Sequence, residues 1–149
     1  MSSPVPGREP LDVALELSRI AAGFDGELGI DIVSASGQMV MLKLRIEPRH
    51  LQPYGIVHGG VWAALAESAA SIGASLNSSR RVVGLDNHTN FLRAIGEGEV
   101  MAIARPIHPG RTTQVWNVVI SDQPPDAAET RPVAWSTVRL YVLPDGPIG

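Results

Sequence analysis

The chain has 149 residues, 12 Lys plus Arg against 15 Asp plus Glu and no cysteine, with 44% hydrophobic but only 5% aromatic residues. That length predicts one domain, and a core rich in Ala, Val and Ile buries less apolar area per residue than an aromatic one, which leaves room for a second copy to cover part of its surface. A net charge of -3 without a Lys/Arg cluster argues against a nucleic-acid or membrane-surface binder, and zero cysteines exclude disulfides, a Cys nucleophile and thiolate zinc sites.

The first ten residues hold three prolines and lack a basic segment followed by an apolar run, so they do not read as a secretory signal. Residues 1–10 are expected to be a flexible segment, 11–149 a single domain, and the protein cytoplasmic. Leu11, Ala14, Leu15, Ser18 and Ala21 predict a short amphipathic helix that stops near Gly23. From Glu27 the period becomes two: a strand around Ile30 to Val33, a turn at Ser34 to Gln38, and a strand in which Leu42, Leu44 and Ile46 alternate with Lys43, Arg45 and Glu47. After Pro53 and Gly55, the run from Val61 to Leu76 has no proline and many alanines, which predicts a helix of about 24 Å. The stretch Leu51 to Ser79 is interrupted by Gln52, His58, Glu67 and a Gly-Gly pair, so it does not read as a membrane span. Ala63, Ala64, Ala66, Ala69, Ala70, Gly73 and Ala74 let backbones approach closely, as suits a helix wrapped by a sheet. Four β-rich runs follow, Arg81 to Leu92, Gly98 to Ile107, Thr112 to Ile120 and Val133 to Val142, with turns at Gly96, Gly98 and Pro109-Gly110 and a loop from Ser121 to Pro132. Two strands, a long helix and a four-strand meander predict an α+β fold.

Between Arg49 and Arg80 the only formally charged side chain is Glu67, in the middle of the small-residue helix. Its neighbours three and four positions away are Ala63, Ala64, Ala70 and Ser71. A solvent-facing side would normally carry more than one charge, so a solvated face and a carboxylate facing an enclosed cleft both stay open. Immediately before this helix runs Gln52-Pro53-Tyr54-Gly55-Ile56-Val57-His58-Gly59-Gly60. Glycines admit a ligand close to the backbone, and a helix start presents unpaired N–H groups to a polarised oxygen. The plainer alternative is a tight loop-to-helix connection with His58 as a polar loop residue.

The run QPYGIVHGGVWAALAES resembles the signature of hotdog-fold acyl-CoA thioesterases, within the branch of 1,4-dihydroxy-2-naphthoyl-CoA, hydroxybenzoyl-CoA and phenylacetate-pathway thioesterases. The resemblance continues through VVGLDNHTNFLRAIGEGEV and RPIHPGRTTQVW and spans about Gly29 to Leu143. It implies a hotdog fold, a long central helix wrapped by a curved antiparallel sheet, and hydrolysis of an acyl-CoA without metal or redox cofactor. Glu67 then matches the acidic residue that acts as nucleophile or general base, and Gly59 the glycine whose N–H binds the thioester oxygen. His58 matches the histidine that holds the loop or touches the thioester, and Gln52 an amide orienting water or acyl group. Gly60 and Ser71 match positions lining the substrate. His108, Gly110 and Arg111, with Arg93, resemble strand-end positions near the CoA nucleotide, and Asn90 a polar position facing the site. In the family the site forms between two subunits, Glu67 facing Gln52, His58 and Gly59 of the other, which implies a homodimer or homotetramer. Phe91 stands in a stretch where some relatives acting on hydroxylated aryl groups have a histidine, which argues against a hydroxyaryl substrate and leaves phenylacetyl or medium-chain acyl groups open.

Three other readings compete. A non-catalytic acyl-CoA-binding or sensor protein is the main alternative, which Glu67 beside His58-Gly59-Gly60 disfavours. A hotdog hydratase needs a differently placed histidine, and a Ser-His-Asp hydrolase needs a Gly-x-Ser-x-Gly elbow that the chain lacks.

Overall fold

A computed structural model describes residues 21–124, 126–129 and 131–145. The expected segment 1–10 and all but the last residue of the helix expected from Leu11 to Ala21 lie outside the described residues. The chain then forms α1 (Phe24–Leu28), β1 (Asp31–Ala35), β2 (Val40–Arg45), a 3-10 turn (Pro48–His50), α2 (Gly59–Ser78), β3 (Val82–Phe91), β4 (Glu99–Pro109), β5 (Thr113–Ser121) and β6 (Pro132–Val142). Each expected strand is present with its ends displaced by a few residues. The β1–β2 turn is closed by Ser36, whose hydroxyl accepts the N–H groups of Gln38 and Met39.

Helix α2 runs for 20 residues, about 30 Å, and exceeds the sequence expectation by two residues at each end. At the start, His58 Nδ1 accepts the Gly60 N–H at 2.8 Å and so caps one of the helix's orphan donors. At the other end Ser79 takes a left-handed conformation with φ 54° and returns its N–H to Ser75.

All six strands form one antiparallel sheet in the order β1-β2-β4-β5-β6-β3. The expected four-strand meander is corrected here: β4, β5 and β6 are consecutive neighbours, but β3 pairs with β6 and β2 with β4. Helix α2 lies on one sheet face between β2 and β3, so the chain that leaves it re-enters at the far edge. The helix touches every strand. Six strands spaced about 4.8 Å apart make a sheet much wider than a helix about 10 Å across, so they can all reach it only by curling around it.

Small side chains make that wrapping possible. Ala66, Ala69, Ala70 and Ala74 are fully buried against Val40, Leu42, Leu44, Val100, Val118, Ile120 and Leu140. At Gly73 a Cβ would overlap the six-membered ring of Trp116. That ring is 0% exposed, its Nε1–H bonds Gln114 Oε1 at 2.9 Å, and Gln114 Nε2 bonds Asn77 Oδ1 at 3.1 Å. The buried polar atoms are thereby satisfied where the helix sits closest to the sheet.

β3 is a sheet edge and carries a bulge between Gly84 and Asp86. The bulge resets the alternation. Gly84, Asn87, Thr89 and Phe91 consequently pair with the inward residues Leu140, Val138, Ser136 and Ala134 and share the face that meets the helix.

Candidate active site

The flank of α2 that the sheet does not bury carries Gly60, Ala63, Ala64, Glu67, Ser68 and Ser71, none of them buried, and β3 borders it at Ala63 and Glu67. Glu67 is exposed, and no ion pair to it is found among the described residues. Its carboxylate rests over the backbone of Gly84: a Cβ there would stand 2.7 Å from Oε1. The carboxylate opens onto a cleft of about 290 Å³ lined by Phe24, Asp25, Ala64, Glu67, Ser68, Ser71 and Ile72. Ser71 therefore shares the Glu67 cleft. The apolar walls come from Phe24, Ala64 and Ile72, and the polar groups converge at the Glu67 end.

Asp25 was not legible as a site residue, because nothing in FDGEL signals that α1 docks on α2. Ser68 Oγ donates to Asp25 Oδ1 at 2.6 Å. Burial pushes the Asp25 carboxyl above the usual carboxylate range, the Ser68 hydrogen bond opposes that, and the charge of Glu67 reinforces it. A second carboxyl group with a raised affinity for protons thus stands beside the first.

The loop before α2 is built on a buried histidine that sequence reading passed over. His50 is 1% exposed. Its Nδ1 accepts the Glu47 N–H at 2.9 Å, its Nε2 bonds the Leu28 carbonyl at 2.7 Å, and its own carbonyl accepts the His58 N–H at 2.9 Å. A ring that accepts at Nδ1 donates at Nε2, so the tautomer follows from its partners. Gln52 closes the same loop: its N–H bonds Ile56 O at 2.8 Å, and its Oε1 accepts the Tyr54 N–H. His58 is engaged as the helix cap, which occupies the Gly60 N–H. The Gly59 N–H, first in the helix, has no intrahelical acceptor. A Cβ at Gly59 would overlap the Phe91 ring, so the glycine is required by the close approach of β3.

One chain does not bring all the expected residues together. Gly59 and Glu67 are eight residues apart on one helix, about 12 Å along its axis. Asn90 and His108 pair with the outward-facing Trp135 and Val115 and so lie on the sheet face away from Glu67. Gly110 and Arg111 line a second cleft of about 540 Å³ at the C-terminal end of α2, with Asn77, Arg80 and Gln114 among its walls. Arg93 stands at the opposite end of the sheet, paired through both terminal nitrogens with Asp122 and bonded to the Arg131 carbonyl at 3.0 Å. That hydrogen-bonded pairing holds the Asp122 carboxyl below its usual range. Among the described residues, no group of three or more His, Asp and Glu is placed to hold a metal, and no helix is long and apolar enough to cross a membrane.

A helix carboxylate over a glycine, with a capped helix start two turns away inside a curled sheet, invites comparison with known proteins. Residues 54–129 match the Thioesterase superfamily. The chain belongs to that family. It is 41% identical over 103 residues to a 1,4-dihydroxy-2-naphthoyl-CoA hydrolase of Listeria monocytogenes, covering 68% of this chain and 84% of that one. The solved structure of Rv1847/MT1895 from Mycobacterium tuberculosis superposes with a TM-score of 0.75 at 38% identity, covering 83% of this chain and 98% of that one. A thioesterase from Haemophilus influenzae, HI1161, superposes with a TM-score of 0.75 at 30% identity over 93% of this chain and 95% of its own. The thioesterase described here therefore has the hotdog fold and is a thioester hydrolase. Its helix α2 is the central helix of that fold, and the Glu67 cleft is the candidate place for its chemistry.

Proposed function

We propose that this thioesterase hydrolyses an aromatic or medium-chain acyl-CoA to the free acid and CoA, at a site completed by a second copy of the chain. The observation that carries the reading is the placement of Glu67: an exposed carboxylate, with no ion pair among the described residues, over Gly84 at the mouth of a partly apolar cleft. A carboxylate so placed can attack a thioester carbonyl directly or take a proton from an attacking water. In either case negative charge develops on the carbonyl oxygen, and a backbone N–H at a helix start is the complementary donor.

That donor cannot be Gly59 of the same chain. A carbonyl must lie about 3 Å from its donor, and about 12 Å of helix separates Gly59 from Glu67. The outer edge of β3, which no strand among the described residues pairs, supplies a solution. Phe91 packs on Gly59 while Gly84 underlies Glu67, so antiparallel pairing of β3 with its own copy, about a two-fold axis near Asn87 and His88, would set residue 91 of one beside residue 84 of the other. The partner's Gly59, His58 and Gln52 would then face Glu67. The same pairing would bring Arg93, paired with Asp122, toward the strand end where Gly110 and Arg111 stand and where Arg80 pairs with Asp145 at 3.2 Å, leaving Arg111 as the cation offered to the phosphates of CoA. It would also remove an unpaired edge on which Val83 and Leu85 are 42% and 49% exposed.

The test is release of CoA thiol from benzoyl-, phenylacetyl-, hydroxybenzoyl-, naphthoyl- and straight-chain acyl-CoAs, beside Glu67→Gln, with sizing of the same preparation. Turnover of phenylacetyl- or medium-chain acyl-CoA, lost in Glu67→Gln, by a dimer or larger assembly is expected. Undiminished turnover in Glu67→Gln refutes the role of the carboxylate. An active monomer refutes the shared site.

A further inference from the structure

β3 touches the central helix at a second place close to Glu67. Asn87 Nδ2 donates to the Ala63 carbonyl at 2.8 Å. In helical register that carbonyl also accepts the Glu67 N–H, and a carbonyl oxygen has two lone pairs for the two donors. The Asn87 amide is itself held, because Thr89 Oγ1 donates to Asn87 Oδ1 at 2.7 Å. This uses the one hydroxyl proton of Thr89, so in its 2.8 Å contact with Ser136 Oγ the serine is the donor. Ser136 is 0% exposed. The chain of donors thus runs one way, from β6 through β3 to the helix, and bonds aligned in this way strengthen one another in a low-dielectric interior.

Packing alone does not call for an amide here. Asn87 pairs with Val138 on the inward face, where an apolar side chain would be buried without the cost of desolvating an amide. The amide instead fixes the turn of helix from which Glu67 springs. Three positions earlier on the same strand, Gly84 provides the space into which the Glu67 carboxylate extends. We propose that Asn87, oriented by Thr89 and Ser136, is a positioning residue that sets where the Glu67 carboxylate stands; this rests on the reading of Glu67 as the catalytic carboxylate. Asn87 acts through the backbone and need not touch substrate.

The test uses the full chain and whichever acyl-CoA of the panel it turns over fastest. Asn87→Leu removes the tether at similar volume, and Thr89→Val removes only the hydroxyl that orients it. Each is expected to lower kcat about ten-fold, because sub-ångström displacement of a reacting group is costly, while KM stays within about two-fold. Thr89→Ser, which restores the hydroxyl, is expected to recover kcat. The double variant should lose no more than either single one, since both cut the same chain. Ile120→Val, remote in β5, controls for loss of core stability and should leave kcat unchanged at a similar melting temperature. Should Asn87→Leu not fold, Thr89→Val and Thr89→Ser carry the test. Wild-type kcat in the tether variants while Glu67→Gln is inactive overturns the positioning role and leaves Glu67 in place. An effect on KM alone, or a kcat loss matched by Ile120→Val, overturns it as well. An active Glu67→Gln overturns the reading of Glu67 and this inference with it.

Discussion

Gly84→Ala places one methyl group under the Glu67 carboxylate and changes little else. The added Cβ would stand 2.7 Å from Oε1 and 3.3 Å from Cδ, whereas ordinary contact begins at 3.4 Å. The carboxylate must therefore withdraw by about 0.7 Å toward the open cleft, a movement that a flexible side chain makes at low cost. The backbone at Gly84 is not in the left-handed region, so alanine fits the strand and regains about 0.5 kcal/mol or more of the entropy that glycine loses on folding. Stability should thus stay within about 1 kcal/mol of the wild type. Catalysis should not, since misplacing a reacting group by about 1 Å can cost on the order of 100-fold. We expect kcat for CoA thiol release to fall about 10- to 100-fold, with the melting curve nearly unchanged. Full activity in a folded Gly84→Ala protein would refute the claim that the site needs the carboxylate where it rests on β3.

Three further outcomes follow from the packing and the charges. Burial and the Glu67 charge raise the Asp25 carboxyl against the Ser68 hydrogen bond, so stability contributed by its protonated form is complete below about 3.9, the unfolded value, and is lost as pH rises through the higher folded one. Asp25→Asn can keep the Ser68 bond without the charge; it should resist urea better than wild type at pH 7, an advantage that disappears near pH 3, and equal stability at pH 7 would contradict it. Asp122 behaves oppositely, because Arg93 holds its carboxyl low: its contribution is present above the unfolded value and is lost as pH falls through the folded one, so Asp122→Asn should cost up to about 1 kcal/mol at neutral pH and less in acid, as chemical denaturation at the two pH values would show. Gly73→Ala would drive a methyl group into the buried Trp116 ring, an overpacking of about 1–3 kcal/mol that should outweigh the gain of about 1 kcal/mol in helix propensity; a variant as stable as wild type in urea would show that the ring can yield.

Much of the architecture was legible because its signals are local. Alternation at Leu42 to Glu47 marked β2, and the proline-free alanine run marked α2. The isolation of Glu67 between Arg49 and Arg80 singled out the residue that lies over Gly84. Small residues announced a wrapped helix before any sheet was seen. The neighbour of β3 was not legible, because antiparallel pairing with β4 or with β6 satisfies the same alternation, and β4 is excluded only because β2 and β5 occupy both of its edges. Nor were His50, Asp25 and Asn87, each of which acts through a partner more than 20 residues away. A side chain's period and propensity are properties of its neighbours along the chain, and those the sequence determined. Which carboxylate meets which glycine and which amide holds which carbonyl depend on distances across the fold, and those only the tertiary structure decided.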